Sequence, residues 1–169
     1  MTVEHLSTIL LRLACLAAPV PALGEEFQEL VLADFTEGSR MTWESVNDDV
    51  MGGVSKGGYS FDEEAALLVF RGETSLRNNG GFSSIRSRSD LDLSGYEGLV
   101  LRVRGDGRPY KLTLRGKNER RYISHWAPDF DTRADRWSEV RIPFENFYPT
   151  MFGRRLKGPS LDRSRIRSI

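Results

Sequence analysis

The spacing of the apolar residues restricts the fold most. Leu99, Leu101 and Val103 alternate with Val100, Arg102 and Arg104, and Leu112 and Leu114 alternate with Lys111, Thr113 and Arg115. A repeat of two turns one set of side chains toward a core and the other toward water, as in a half-buried strand. Val140 and Ile142 repeat the scheme between Glu139 and Arg141, while Ala65 to Phe70 is a continuous apolar run of the kind a more fully buried strand carries. Residues 105–109, Gly-Asp-Gly-Arg-Pro, are turn formers, so the Leu99 and Leu112 strands are expected to form an antiparallel hairpin. No stretch shows a helical period. Several short strands separated by turn signals predict an all-β fold, an antiparallel β-sandwich.

Two glycine pairs interrupt this pattern. One lies in residues 43–55, WESVNDDVMGGVS, and the other in residues 79–84, NGGFSS. Asn, Asp and Gly let a backbone enter positive φ or bond to its own side chains, so the chain is expected to turn sharply at Asn47, Asp48, Asp49, Gly52, Gly53, Gly80 and Gly81. Asp48 and Asp49 are adjacent; on a strand they would point to opposite faces and could not work as a paired acid and base. Turn capping by Asn47 and Asp48 competes with a calcium or ligand contact. The glycines lack the G-x-G-x-x-G spacing of a dinucleotide site and are expected to form bulges or tight turns.

With 169 residues the chain has room for one domain and one core. Its 24 Lys and Arg balance 24 Asp and Glu, so no global field drives it onto nucleic acid, and no nucleic-acid partner is expected. The single cysteine, Cys15, excludes an internal disulfide and a cysteine-rich metal site.

The front of the chain reads as a targeting segment. Arg12 precedes the apolar stretch Leu13 to Val20, and the small-residue pattern Ala22-Leu23-Gly24 precedes Glu25 and Glu26. These are the parts of a secretory signal peptide over residues 1–24, with a domain over 25–169, and they imply an exported or periplasmic product. The stretch is too short for a transmembrane span. Cys15 also permits a lipoprotein reading, and a mitochondrial or cytoplasmic location is the alternative.

From about Asp34 to Ile169 the chain resembles the complex I intermediate-associated protein 30 family. The resemblance rests on Trp43 with residues 47–55, on Gly80 to Ser84, on residues 92–99, DLSGYEGL, and on Trp137 to Phe147 with Pro149. It implies a galactose-binding-like jelly roll and a non-enzymatic, chaperone-like assembly domain for respiratory complex I, with protein partners that by analogy include respiratory-complex subunits. Family members usually continue past the position of Ile169 with a further strand or two, so the resemblance also implies a sheet without its last strand or strands. An unpaired sheet edge would be an aggregation hazard or an opening for a partner strand.

Chemistry-bearing residues are sparse. Beyond the leader, His125 is the only histidine, too few for a histidine-rich metal site. Ser124, His125 and Asp129 or Asp131 could be drawn as a hydrolase set, but no G-x-S-x-G turn occurs, and no catalytic residue, metal or cofactor is expected. Arg115, Tyr122, His125, Trp126 and Phe130 put aromatic rings beside cations, an arrangement that can bind a protein partner or stack on a carbohydrate. Their competing role is core packing. An exported carbohydrate-binding module is therefore the alternative function. The basic C-terminal run from Arg154 to Arg167 suits an acidic partner or a solvated face.

Overall fold

The computed structural model describes residues 12–17, 29–36, 41–116 and 125–169, with the backbone alone for 12–17 and Glu29. In chain order the strands are β1 (Arg12–Ala17), β2 (Glu29–Ala33), β3 (Thr42–Asn47), β4 (Lys56–Asp62), β5 (Leu67–Glu73), β6 (Ser83–Leu91), β7 (Tyr96–Arg104) and β8 (Pro109–Lys111). They continue with β9 (Arg115–Gly116), β10 (His125–Trp126), β11 (Asp129–Asp131), β12 (Trp137–Pro143), β13 (Pro149–Met151), β14 (Arg154–Arg155) and β15 (Ile166–Ser168). Only short 3-10 turns interrupt them among the described residues. The fold is all-β, with antiparallel sheets packed as a sandwich.

One sheet has the order β12-β7-β1-β2 and the other β3-β6-β15-β9, with the smaller pairs β4-β5 and β8-β11 and the group β10-β13-β14 beside them. The period of two seen in the sequence sets the core. Leu99, Leu101 and Val103 of β7 are buried, as are Trp43 of β3, Leu68 and Phe70 of β5, Leu112 and Leu114, and Ile166 of β15. Burying one such aliphatic side chain contributes about 1.5–3 kcal/mol. The run before Phe70 divides into a turn at Ala65 and Ala66 and three consecutive buried residues, Leu68 to Phe70.

The expected hairpin between the Leu99 and Leu112 strands does not form. β7 pairs with β1 and β12, whereas β8 pairs with β11. The turn formers carry the chain out of one sheet: Gly107 adopts φ +88°, its N–H donates to Thr132 Oγ1 at 3.1 Å, and Gly105 bridges Ala134. Alternation tells which face of a strand is buried but not which strand lies beside it.

The stretch read as the apolar part of a leader has a place in this architecture. Arg12–Ala17 lies between β7 and β2, with Ala14 opposite Val100 and Val31.

Candidate functional site

Asp48 joins the two glycine-pair segments. It opens a 3-10 turn, Asp48–Met51, so it is fully buried while Asp49 is exposed, and the opposed-face geometry expected of a strand does not apply. Gly52, at φ +86°, closes that turn. The Asp48 carboxylate accepts the Ser55 N–H at 2.8 Å and the Ser55 hydroxyl at 2.5 Å. It also accepts the N–H groups of Gly81 at 2.6 Å and Phe82 at 3.3 Å. Ser55 Oγ in turn accepts the Ser75 N–H at 2.9 Å, and Asn78 Nδ2 donates to the Gly52 carbonyl at 3.1 Å. Asn47 spans the adjoining pair, donating to the Gly57 carbonyl at 3.1 Å and accepting from the Ser83 hydroxyl at 2.7 Å.

The glycines at this knot are set by close approach. A Cβ added at Gly53 or Gly80 would overlap the Asp48 carboxylate. Burial opposes ionisation of Asp48, but the Ser55 hydroxyl and the Gly81, Ser55 and Phe82 N–H groups outweigh it and hold the pKa at about 2. A carboxylate whose oxygens already accept this many donors is a structural anchor. Among the described residues no group of three His, Cys, Asp or Glu is placed to hold a metal ion. The knot also presents exposed apolar side chains, Val50, Met51, Val54 and Leu76.

A second feature lies between the sheets. A cavity of about 460 Å³ is bounded by residues 81–86, by residues 110–113 with Arg115, and by His125. Its floor is the core itself, with Trp43, Phe70, Leu101 and Phe130. The Trp43 indole N–H is buried and has no hydrogen-bond partner among the described residues. Cations gather at the mouth. Burial first, then Arg115, Arg86 and Lys111, push the His125 pKa down to about 4, so this imidazole is neutral at pH 7. Burial and the nearby Arg115 lower the Arg86 pKa, partly offset by Glu44.

The aromatic and basic cluster expected from sequence divides accordingly. Arg115 and His125 are half-buried at the cavity mouth. Trp126 and Phe130 are core residues, 4% and 8% exposed, and Phe130 stacks on Tyr110 with ring centroids 6.1 Å apart. Trp126 is thus packed away from the cavity, while Phe130 contributes to its floor. Tyr122 lies outside the described residues, as does Ser124. Asp129 is engaged by Lys111 Nζ at 2.5 Å and by the Tyr148 hydroxyl at 3.2 Å. The basic C-terminal run is dispersed: Arg155 lies over the Tyr148 ring, Arg163 donates to the Tyr96 carbonyl at 2.6 Å, and Arg167 pairs with Asp90 at 3.6 Å.

What sequence reasoning missed is the role of Ile85, Arg86 and Thr113 in the cavity wall. Period two marks such residues as strand positions, but a cavity forms only where distant strands fail to meet. No helix among the described residues is long and apolar enough to cross a membrane.

Comparison with known proteins is consistent with this architecture. Residues 33–169 match the family model for complex I intermediate-associated protein 30. A mouse (Mus musculus) protein, "Complex I intermediate-associated protein 30, mitochondrial", is 38% identical over 66 residues, which is 37% of this chain and 20% of that relative. The chain thus aligns with about one fifth of the length of the curated relative it matches.

Proposed function

The chain belongs to the complex I intermediate-associated protein 30 family, and from that premise we propose that it is a non-enzymatic, chaperone-like assembly domain that acts by binding a protein partner, by analogy a subunit or subcomplex of respiratory complex I. The observation that carries this reading is the family match across residues 33–169, which takes in both sheets from β3 onward. One feature of the site supports it. The surface beside the Asp48 knot displays apolar side chains, with Leu76 84% and Val50 69% exposed, as protein-contact surfaces do.

The location that fits this reading is the mitochondrial one of the named relative. Retention of residues 12–17 is favoured because β1 lies inside the β12-β7-β1-β2 sheet, and cleavage after Gly24 would remove it. The test is genetic and biochemical. Deleting the gene in its host should lower fully assembled complex I on native gels, with restoration on re-expression. Unchanged complex I levels would overturn the assembly reading.

A further inference from the structure

We propose that the outer edge of β12 is a docking site for β12 of a second copy of this chain, the two strands running antiparallel about a two-fold axis at Val140. The inference goes beyond the assembly reading and does not rest on it.

The backbone carries the first part. β12 ends the sheet β12-β7-β1-β2, at the opposite edge from β2 and in the other sheet from β15. Among the described residues its ladder runs to β7 alone, from Trp137 opposite Arg104 to Pro143 opposite Gly98. The phase of that ladder tells which groups are left over. A Cβ added at Gly98 would lie 2.6 Å from the Ile142 carbonyl oxygen, so this carbonyl points toward β7. Backbone groups alternate along a strand, so Ser138 and Val140 also bond β7, while Trp137, Glu139 and Arg141 turn their N–H and C=O groups outward. Pro143, which has no N–H to give a ladder, falls in the outward set. An edge with free donors and acceptors is a template for another strand. Charges pointing coreward from an edge strand would forbid one, but the coreward side chains of β12 are Ser138, Val140 and Ile142.

Side chains specify the partner and the register. On the outer face Glu139 stands opposite Arg102 of β7, whereas Arg141 stands opposite Val100 and pairs with Glu139 of its own strand at 2.8 Å. An exposed pair of this kind is readily exchanged for another. Registers centred on Glu139 or on Arg141 would set like charges directly opposite each other. A register centred on Val140 sets Glu139 of each copy against Arg141 of the other, Trp137 against Pro143, and the two Val140 side chains together on the core side. Val140 packs on the core yet stays partly exposed, and Trp137 remains 39% exposed although Arg102 lies over its ring at 5.1 Å, so both have surface left to cover. The strand is therefore complementary to itself in one register. A contact of this symmetry closes at two copies and leaves no second β12 edge to propagate.

The test is sedimentation velocity on the full chain at rising concentration. A reversible monomer–dimer equilibrium in the micromolar range is expected, since one edge strand makes a contact of transient size. Glu139→Lys and Arg141→Glu, each of which sets like charges opposite, should each weaken self-association about tenfold or more. An equimolar mixture of the two variants should restore it, because the new lysine then faces the new glutamate and the retained arginine faces the retained glutamate. Amide hydrogen exchange reads the backbone independently of any variant. Trp137, Glu139 and Arg141 should exchange about tenfold more slowly in the dimer, while Val140, already bonded to β7, should not change. A monomer at every concentration, or a mixture that stays monomeric, would overturn the proposal. Protection that falls on Val50 and Leu76 instead would overturn it in favour of the apolar surface beside the Asp48 knot, and association continuing past the dimer would overturn the two-fold register.

Discussion

The buried Asp48 carboxylate and the N–H of Gly81, a residue at the surface, are separated by 33 residues in sequence and meet at 2.6 Å. This bond and those from Ser55 tie the turn after β3 to the turn before β6, so the two glycine pairs are halves of one anchor. Asp48→Asn keeps the shape but replaces an acceptor with an amide that presents N–H to N–H donors. It is expected to lower the urea midpoint at pH 7 more than any exposed substitution. The pH dependence follows from the sign of the shift. Folded Asp48 titrates at about 2 against an ordinary 3.8, so its contribution is fully present above about pH 4 and is lost as pH falls through about 2. Urea midpoints measured from pH 5 to pH 2 should show this acid limb in the wild type and a shallower one in Asp48→Asn.

Gly80 permits that anchor by having no side chain. An alanine methyl there would meet Asp48 Oδ2 and also the Ser75 carbonyl oxygen, which cannot move without shifting backbone. Gly80→Ala is therefore expected to cost about 1–3 kcal/mol, the usual range for overpacking. Gly95→Ala is the control. An added Cβ at Gly95 meets nothing within 4 Å, and its effect should stay within about 0.5 kcal/mol. Equal destabilisation by the two in urea titration would refute close approach as the reason for glycine at position 80.

His125 gives a second pH signature, opposite in cause to that of Asp48. Its folded pKa of about 4 lies below the ordinary 6.5, so the unfolded chain binds the extra proton between these values. Stability therefore rises with pH from about 4 to 6.5 and is lost on acidification through that window. His125→Gln should flatten the slope there. Arg115→Gln, by removing a cation next to the ring, should raise the His125 pKa, read directly from the imidazole proton shifts in an NMR titration. No change on Arg115→Gln would mean that burial alone sets the value.

How much was legible in the sequence depended on the range of the interaction concerned. Period two identified β7 and β12 and the buried sides of Leu101, Leu112 and Ile142, because alternation is a property of one strand. The sharp turns at Gly52 and Gly81 were legible for the same local reason, both having positive φ. Pairing was not. Nothing local says that β7 lies beside β1 and β12 rather than β8, or that Asp48 reaches Gly81. Trp126 and Phe130 carry the composition of a binding face yet pack inward, since an aromatic ring between polar neighbours is compatible with either side of a strand. The cavity was least legible, as its walls come from segments far apart in the sequence, residues 81–86 and 110–115.

The position of β1 makes the leader reading open to direct test. β7 pairs with β12 on one side and with β1 on the other, from Arg12 opposite Arg102 to Ala17 opposite Tyr96. Deleting residues 1–24 would leave the apolar strand β7, including Leu99, Val100 and Leu101, with an open edge and would leave β2 without its neighbour. A long apolar edge of that kind templates association. The deletion variant is therefore expected to unfold at lower urea concentration and to form higher oligomers in size-exclusion chromatography, while the full chain does not. If the two behave alike, β1 is dispensable to the sandwich, and removal of residues 1–24 by a processing peptidase is compatible with a folded product. Intact mass of the protein from its host then tells which N-terminus is used, and a mass retaining residues 12–17 is the expected result.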